Sequence, residues 1–192
     1  MSYVGNAGQL VVGTLFTLAL VVFLLRVMLQ AAGANFYNPI CQLLHKATQP
    51  AIGPLRRVIP PVGRLELAGL LVAWLIALLK FYAITALAGA TLPFAAAAVA
   101  ALADCISMVL WIWFWTLLAG VILSWVPVDN RNPAVPLIYQ ISEPLLAPIR
   151  RLIPPMGGLD LSAMVALLLV QVLRILIVLP LYDLAGRLAI GA

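Results

Sequence analysis

Charged side chains fall in clusters along this chain, and the long apolar runs between them predict helices. Val4 to Leu25 carries no charge over 22 residues, and a helix is predicted over about 8–32. Leu67–Leu79 and Phe81–Gly89 make a second run, predicted helical over 66–89 and interrupted only by Lys80. Cys105–Val128, with Trp111, Trp113, Trp115 and Trp125, predicts a third helix over 105–127. Leu161–Leu173 and Ile175–Leu184 predict a fourth over 160–184, interrupted by Arg174. Each approaches the ~20 residues that cross ~30 Å of hydrocarbon. Helices are the expected solution because lipid offers no partners for open backbone groups. The fold class is therefore an all-α membrane protein with four transmembrane helices.

Composition sharpens this. Hydrophobic residues make up 65% of the 192 and charged residues 9%, with a mean hydropathy of +1.15. A soluble domain carries roughly a quarter charged residues, so little soluble mass is expected. Ala32-Gly33-Ala34 resembles a signal-peptide cleavage site, but no Lys or Arg precedes the first apolar run, and that run is too long. It is expected to remain as a helix.

The polar clusters contain a duplication. Asn38, Pro39, Leu43, Pro50, Pro54, Arg56, Arg57, Ile59, Pro60, Pro61, Gly63, Leu65 and Leu67 recur at an offset of 94. The second copies are Asn132, Pro133, Leu137, Pro144, Pro148, Arg150, Arg151, Ile153, Pro154, Pro155, Gly157, Leu159 and Leu161. These are 13 identities over 30 residues without a gap, which requires an internal repeat. The chain divides into a first repeat over 4–89 with its loop at 33–65, an external connection over 90–104, and a second repeat over 105–188 with its loop at 128–159. The Ala-rich stretch 91–104 either extends the third helix or lies in the outer interface.

Two crossings return each helix–loop–helix repeat to its starting side, so the repeats are parallel, related by a pseudo-two-fold axis along the membrane normal. The two loops hold Lys46, Arg56, Arg57, Arg64, Arg131, Arg150 and Arg151, whereas the opposite side holds only Arg187. By the positive-inside rule the loops are cytoplasmic and both termini periplasmic.

Asn38-Pro39 and Asn132-Pro133 read as helix starts, with Asn as cap and Pro at the first position. In the second copy Leu137, Ile138, Ile141, Leu145, Leu146, Ile149 and Leu152 form an apolar stripe opposite Gln140, Arg150 and Arg151. In the first, Leu43, Leu44, Ala47 and Ile52 face Gln42, His45, Lys46 and Gln49. The interior prolines are expected to break each segment into short interfacial pieces. Arg56-Arg57 and Arg150-Arg151 are the candidate docking residues for anionic lipid phosphate or an acidic partner, since guanidinium suits phosphate and carboxylate. The competing reading is plain topology anchoring, with Pro60-Pro61, Gly63, Pro154-Pro155 and Gly157 shaping the start of the next helix.

These paired Asn-Pro…Pro…Pro-x-Arg-Arg-x-Ile-Pro-Pro segments resemble the YggT (YlmG) family of small membrane proteins, in the two-copy form typical of proteobacteria. The resemblance covers nearly the whole chain and implies a bacterial inner-membrane protein. Plastid relatives are implicated in haem attachment to cytochrome b6 and in nucleoid distribution; bacterial relatives are associated with cell-division gene clusters and osmotic tolerance. The resemblance brings no catalytic residue or cofactor ligand with it.

Lys80 and Arg174 also match at offset 94, and at 1.5 Å per residue they lie ~20 Å from the loop ends of their helices. Either they snorkel or pair simply, or they line a polar seam between repeats. Asp104 and Asp183, placed near the outer end, are the expected partners. Arg26, whose counterpart is Gly120, is expected to snorkel to headgroups. His45 is the sole histidine, with Tyr139 opposite it; an interfacial polar role is favoured over haem ligation.

The acids Glu66, Asp104, Asp129, Glu143, Asp160 and Asp183 are scattered, with no pair expected near His45, so no catalytic centre is expected. Cys41 and Cys105 lie at opposite ends of helices and show no metal or redox spacing. No metal and no cofactor are expected. The expected partners are anionic lipid headgroups, a membrane protein, and as a further option a second copy of the chain; direct nucleic-acid binding is not. The expectation is a non-enzymatic assembly or scaffold factor, with a small transporter or channel in osmotic or ion homeostasis as the alternative.

Overall fold

A computed structural model describes residues 3–126, 132–152 and 161–191. Its helices are α1 (Tyr3–Ala31), α2 (Pro39–Arg56), α3 (Leu67–Leu87), α4 (Phe94–Leu123), α5 (Ala134–Leu152), α6 (Leu161–Leu173) and α7 (Leu179–Ile190). A π-helical turn over Arg174–Val178 joins the last two. Among the described residues four helical stretches are long and apolar enough to cross a membrane: Gly5–Ala31, Leu67–Leu87, Phe94–Leu123 and Leu161–Ile190. The chain is an all-helical, multi-pass membrane protein.

The stretch 94–104 is helical and belongs to α4, so the third helix begins at Phe94 rather than at 105. Alanine is the best helix former, and here it also packs. Ala96, Ala97, Ala100, Ala101 and Ala103 are buried, and Ala97 and Ala101 meet Ala73 and Ala77 of α3 in one core cluster. Small residues let membrane helices approach closely. Trp74 fixes the contact by donating its indole N–H to the Ala98 carbonyl at 3.1 Å. This lengthening moves Asp104 ten residues into the helix, ~15 Å from its start, and so away from that end of the bundle.

The duplicated segments form one continuous helix each, not short pieces. Pro50 and Pro54 sit inside α2, and Pro144 and Pro148 inside α5. An interior proline frees the carbonyl four residues back. Lys46, Pro50 and Pro54 are all exposed, so the freed carbonyls lie along one outer stripe where they need no protein partner. The four-residue spacing is what keeps the damage on that stripe.

The faces of α2 also differ from expectation. Thr48 and Ile52 are buried, whereas Leu43 is exposed and so is Ala47. In α5, Leu137, Ile141, Leu146 and Ile149 point inward as the stripe predicts, but Leu152 is exposed. The core runs as two main clusters, one built on α1, α3, α4 and the first half of α5, the other on α4, the second half of α5, α6 and the π turn.

Candidate functional site at the loop end of the bundle

Both motif helices begin as their sequences dictate. The Asn38 side chain accepts from the Ile40 N–H at 2.9 Å with Pro39 in the first turn, and Asn132 accepts from the Ala134 N–H at 3.0 Å. The two starts touch, because Asn38 Nδ2 donates to the Pro133 carbonyl at 2.6 Å. Trp113 of α4 donates to the Ile141 carbonyl at 3.1 Å. The helices α2 and α5 are thereby gathered at the end where α1 and α4 finish.

The centre of the first repeat is a residue expected to snorkel. Arg26 is buried, 5% exposed, and Glu66 is 0% exposed. Arg26 Nε and Nη2 donate to the two Glu66 oxygens at 3.1 and 3.3 Å. Its Nη1 donates to Thr48 Oγ1 at 2.7 Å and the His45 carbonyl at 3.4 Å, and Nη2 also donates to Gln49 Oε1 at 3.0 Å. Five bonds match the five N–H donors of a guanidinium, so the charge is fully satisfied without reaching headgroups. Snorkelling fails for Arg26 because a carboxylate and three further acceptors lie closer than the surface.

Glu66 therefore is not a scattered acid: it is the buried partner of Arg26. The signal was available in part: an arginine inside an apolar helix and a glutamate just before the next helix, opposite in sign at the same end. The offset of 94 hid it, since Arg26 has no basic counterpart. Gly69 makes room for the pair; a Cβ there would sit 2.6 Å from Val27 Cγ2 and 3.5 Å from Glu66 Oε2.

The candidate docking arginines divide into two sorts. Arg56 Nη1 stands 3.7 Å from Glu66 Oε1, and Arg150 Nη1 lies 3.3 Å from Glu143 Oε2. Arg57 and Arg151 are exposed at the ends of α2 and α5. Pro60, Pro61 and Gly63 follow in an irregular turn, with Gly63 at φ 60°. Pro154, Pro155 and Gly157 lie outside the described residues.

A cleft opens beside each motif helix. The first, about 240 Å³, is lined by Arg26, Gln30, Cys41, His45 and Arg56 among others. The second, about 270 Å³, is lined by Gly120, Ser124, Tyr139, Ser142 and Arg150 among others. Burial, and after it the Arg26 guanidinium, hold His45 below its ordinary value, while burial pushes the Cys41 thiol up. Cys41 and Cys105 are both free thiols, and no group of three or more His, Cys, Asp or Glu is placed to hold a metal among the described residues.

At membrane depth the duplicated bases part company. Lys80 is buried and paired with Asp104 of the other repeat, and Tyr182 donates to the same carboxylate at 3.4 Å. Arg174 instead stacks 4.3 Å over the Trp111 ring and donates to Gln171 Oε1 at 3.2 Å. Asp183 is exposed and forms no ion pair with Arg174 among the described residues. The π turn begins at Arg174 and ends just before Pro180, with the Leu179 N–H reaching the Arg174 carbonyl. Pro180 has no N–H to close the preceding α-helical turn.

The molecule is thus a four-span membrane protein made of two helix–loop–helix repeats with motif helices at one end. It belongs to the CCB3/YggT family, whose profile matches residues 6–87 and 99–181, one match per repeat. It is 39% identical to a protein of Escherichia coli K12 described as the uncharacterized protein YggT, over 88% of each chain. A Vibrio alginolyticus protein described as lying in the proC 3' region is 45% identical over 83% of this chain and 87% of its own. An uncharacterized Pseudomonas aeruginosa protein is 38% identical over 90% and 89%. No solved structure matches the chain.

Proposed function

We propose that this protein is a non-enzymatic assembly or scaffold factor of the bacterial inner membrane, docking anionic lipid or an acidic partner through its paired arginine motifs. The observation that carries this reading is the Asn38–Pro133 hydrogen bond. It joins the starts of α2 and α5, and each helix ends on an exposed arginine, Arg57 and Arg151. Guanidinium groups at helix C-termini face the negative end of the dipole and are favoured there. Their planar fork then suits phosphate and carboxylate. In this reading the loops are cytoplasmic, the termini are periplasmic, and no cofactor is used.

Two experiments test it. Replacing Arg56, Arg57, Arg150 and Arg151 together with Gln should lower osmotic tolerance as far as deleting the gene does, while the protein still inserts and accumulates. The matching Lys replacement should keep insertion but not that function; if it behaves as the parent, the arginines only anchor topology. For orientation, Lys46→Cys or Tyr37→Cys in a chain with Cys41 and Cys105 replaced should label only after the inner membrane is permeabilised. Labelling in intact spheroplasts overturns the orientation.

A transporter is the second reading, favoured by one observation. A groove of about 350 Å³ places Gln9, Thr14 and Thr17 beside Lys80, whose partner Asp104 is buried. Charges at that depth line ion or proton paths in transporters. Ion flux in liposomes that is lost in Lys80→Met would replace the scaffold reading.

A further inference from the structure

The first cleft is lined by three polar side chains whose donors are unspent: Gln30, His45 and Arg56. Among the described residues the Gln30 amide and the His45 ring form no hydrogen bond, and the ring only meets Phe36 edge-on at 5.1 Å. Arg56 makes one ion contact, Nη1 to Glu66 Oε1 at 3.7 Å, and its side chain is 42% exposed. Glu66 is already matched by Arg26, whose donors are all taken up by protein oxygens. Two guanidiniums thus share one carboxylate, and the charge of Arg56 is in surplus. Among the described residues no carboxylate lines the cleft. An amide, an imidazole and a guanidinium fork all donate hydrogen bonds, so the complement of this lining is an anion.

The second repeat does not offer the same surplus. The counterparts Ser124, Tyr139 and Arg150 line its cleft, but Ser124 donates to the Val121 carbonyl at 2.6 Å and Arg150 pairs with Glu143 at 3.3 Å. At the place of Glu143 the first repeat has the neutral Gln49.

The other walls of the first cleft, among them Leu29, Phe36 and Leu44, are apolar. Leu29 and Gln30 belong to the last turn of α1, whose apolar span ends at Ala31, so the cleft opens where hydrocarbon gives way to headgroups. Tyr37, 86% exposed, is of the type that settles at that level. A free inorganic anion loses hydration against apolar walls with no return. A phospholipid brings its glycerol and first methylenes to them. Resting on the docking reading above, we propose that this cleft of about 240 Å³ is a headgroup site for an anionic phospholipid. The phosphate seats on Arg56 with Gln30 and His45 donating, and the glycerol end lies against Phe36 and Leu44.

The test titrates the full-length protein in a neutral detergent with dihexanoyl phosphatidylglycerol and follows Tm. Phosphatidylglycerol should raise Tm and saturate. Dihexanoyl phosphatidylcholine, whose phosphate comes with a cation, should not, and inorganic phosphate should bind far more weakly. Arg56→Gln should weaken lipid binding about tenfold or more, as expected for hydrogen bonds to a charged group. Gln30→Leu keeps every charge, should weaken binding by a similar factor, and covers the case in which Arg56→Gln fails to fold. Lys46→Gln removes the same charge from an exposed position on α2 and should leave binding unchanged. If Arg150→Gln weakens lipid binding as much as Arg56→Gln, or Gln30→Leu has no effect, the motifs dock lipid but the cleft is not the seat, and the proposal is overturned alone. Binding of a blocked Glu-Glu-Glu peptide without binding of the lipid leaves an acidic partner as the docked group and removes the lipid site. Inorganic phosphate binding as tightly as the lipid makes this a free-anion site and overturns the lipid assignment. No response to lipid, phosphate or peptide overturns both the site and the docking reading.

Discussion

The first motif helix is tied to the bundle by hydrogen bonds from Arg26, itself paired with Glu66, to Thr48, Gln49 and the His45 carbonyl, whereas the second is held mainly by the apolar side chains of Leu137, Ile141, Leu146 and Ile149. The two segments share their caps, prolines and terminal arginines, so the difference arises outside the motif, at Arg26 against Gly120. A polar tie is strong only while every member is present. An apolar contact loses stability piecemeal. The first repeat should therefore fail sharply when one residue is removed, and the second gradually.

The sharpest way to break the comparison is at Glu66. Arg26→Ala or Glu66→Ala should each cost about 3–5 kcal/mol, because the surviving charge is left buried. The pair Arg26→Met with Glu66→Leu should recover much of that loss, since an apolar isostere of a buried pair is often neutral. Unfolding in mild detergent, read as a double-mutant cycle, checks both; additive losses would show that the two do not act as a unit. Next comes membrane depth. Lys80→Met should destabilise by about 3 kcal/mol by stranding Asp104, while Arg174→Met should cost only about 1 kcal/mol in lost ring contact. Equal losses in thermal unfolding would erase the distinction between the two bases.

Gly69→Ala should destabilise by about 1–3 kcal/mol through the Val27 clash, and Ala163→Gly by about 1 kcal/mol through helix propensity. Adding Arg26→Ala should not relieve Gly69→Ala, because the closest atom belongs to Val27. The smallest effect is at His45, whose folded value is held below normal by burial and then by Arg26. The unfolded chain takes up the proton first, so stability is full above about pH 6.5 and declines as pH falls below it. His45→Gln should flatten that decline in Tm measured between pH 7.5 and 5, with no counterpart at Tyr139→Gln.

Much of this was legible from residues alone. Apolar run length gave four spans, because the thickness of hydrocarbon sets helix length. The offset of 94 showed two repeats, and Asn-Pro located both helix starts, because capping is local chemistry. Local rules failed where a distant partner decided. Pro50 and Pro54 do not divide α2, because their four-residue spacing places the freed carbonyls on one outer face. Residues 94–104 join α4, because their alanines pack on α3.

What the sequence by itself determined is therefore the class of molecule: its spans, its duplication and the position of its motif helices, all of which follow from hydropathy and near-neighbour hydrogen bonding. Only the tertiary structure decided which charges meet. Arg26 and Glu66 are 40 residues apart, and Lys80 and Asp104 are 24 apart in different repeats. Burying such a charge is tolerable only with a partner in place. That pairing depends on how helices stack, which hydropathy along one chain does not encode.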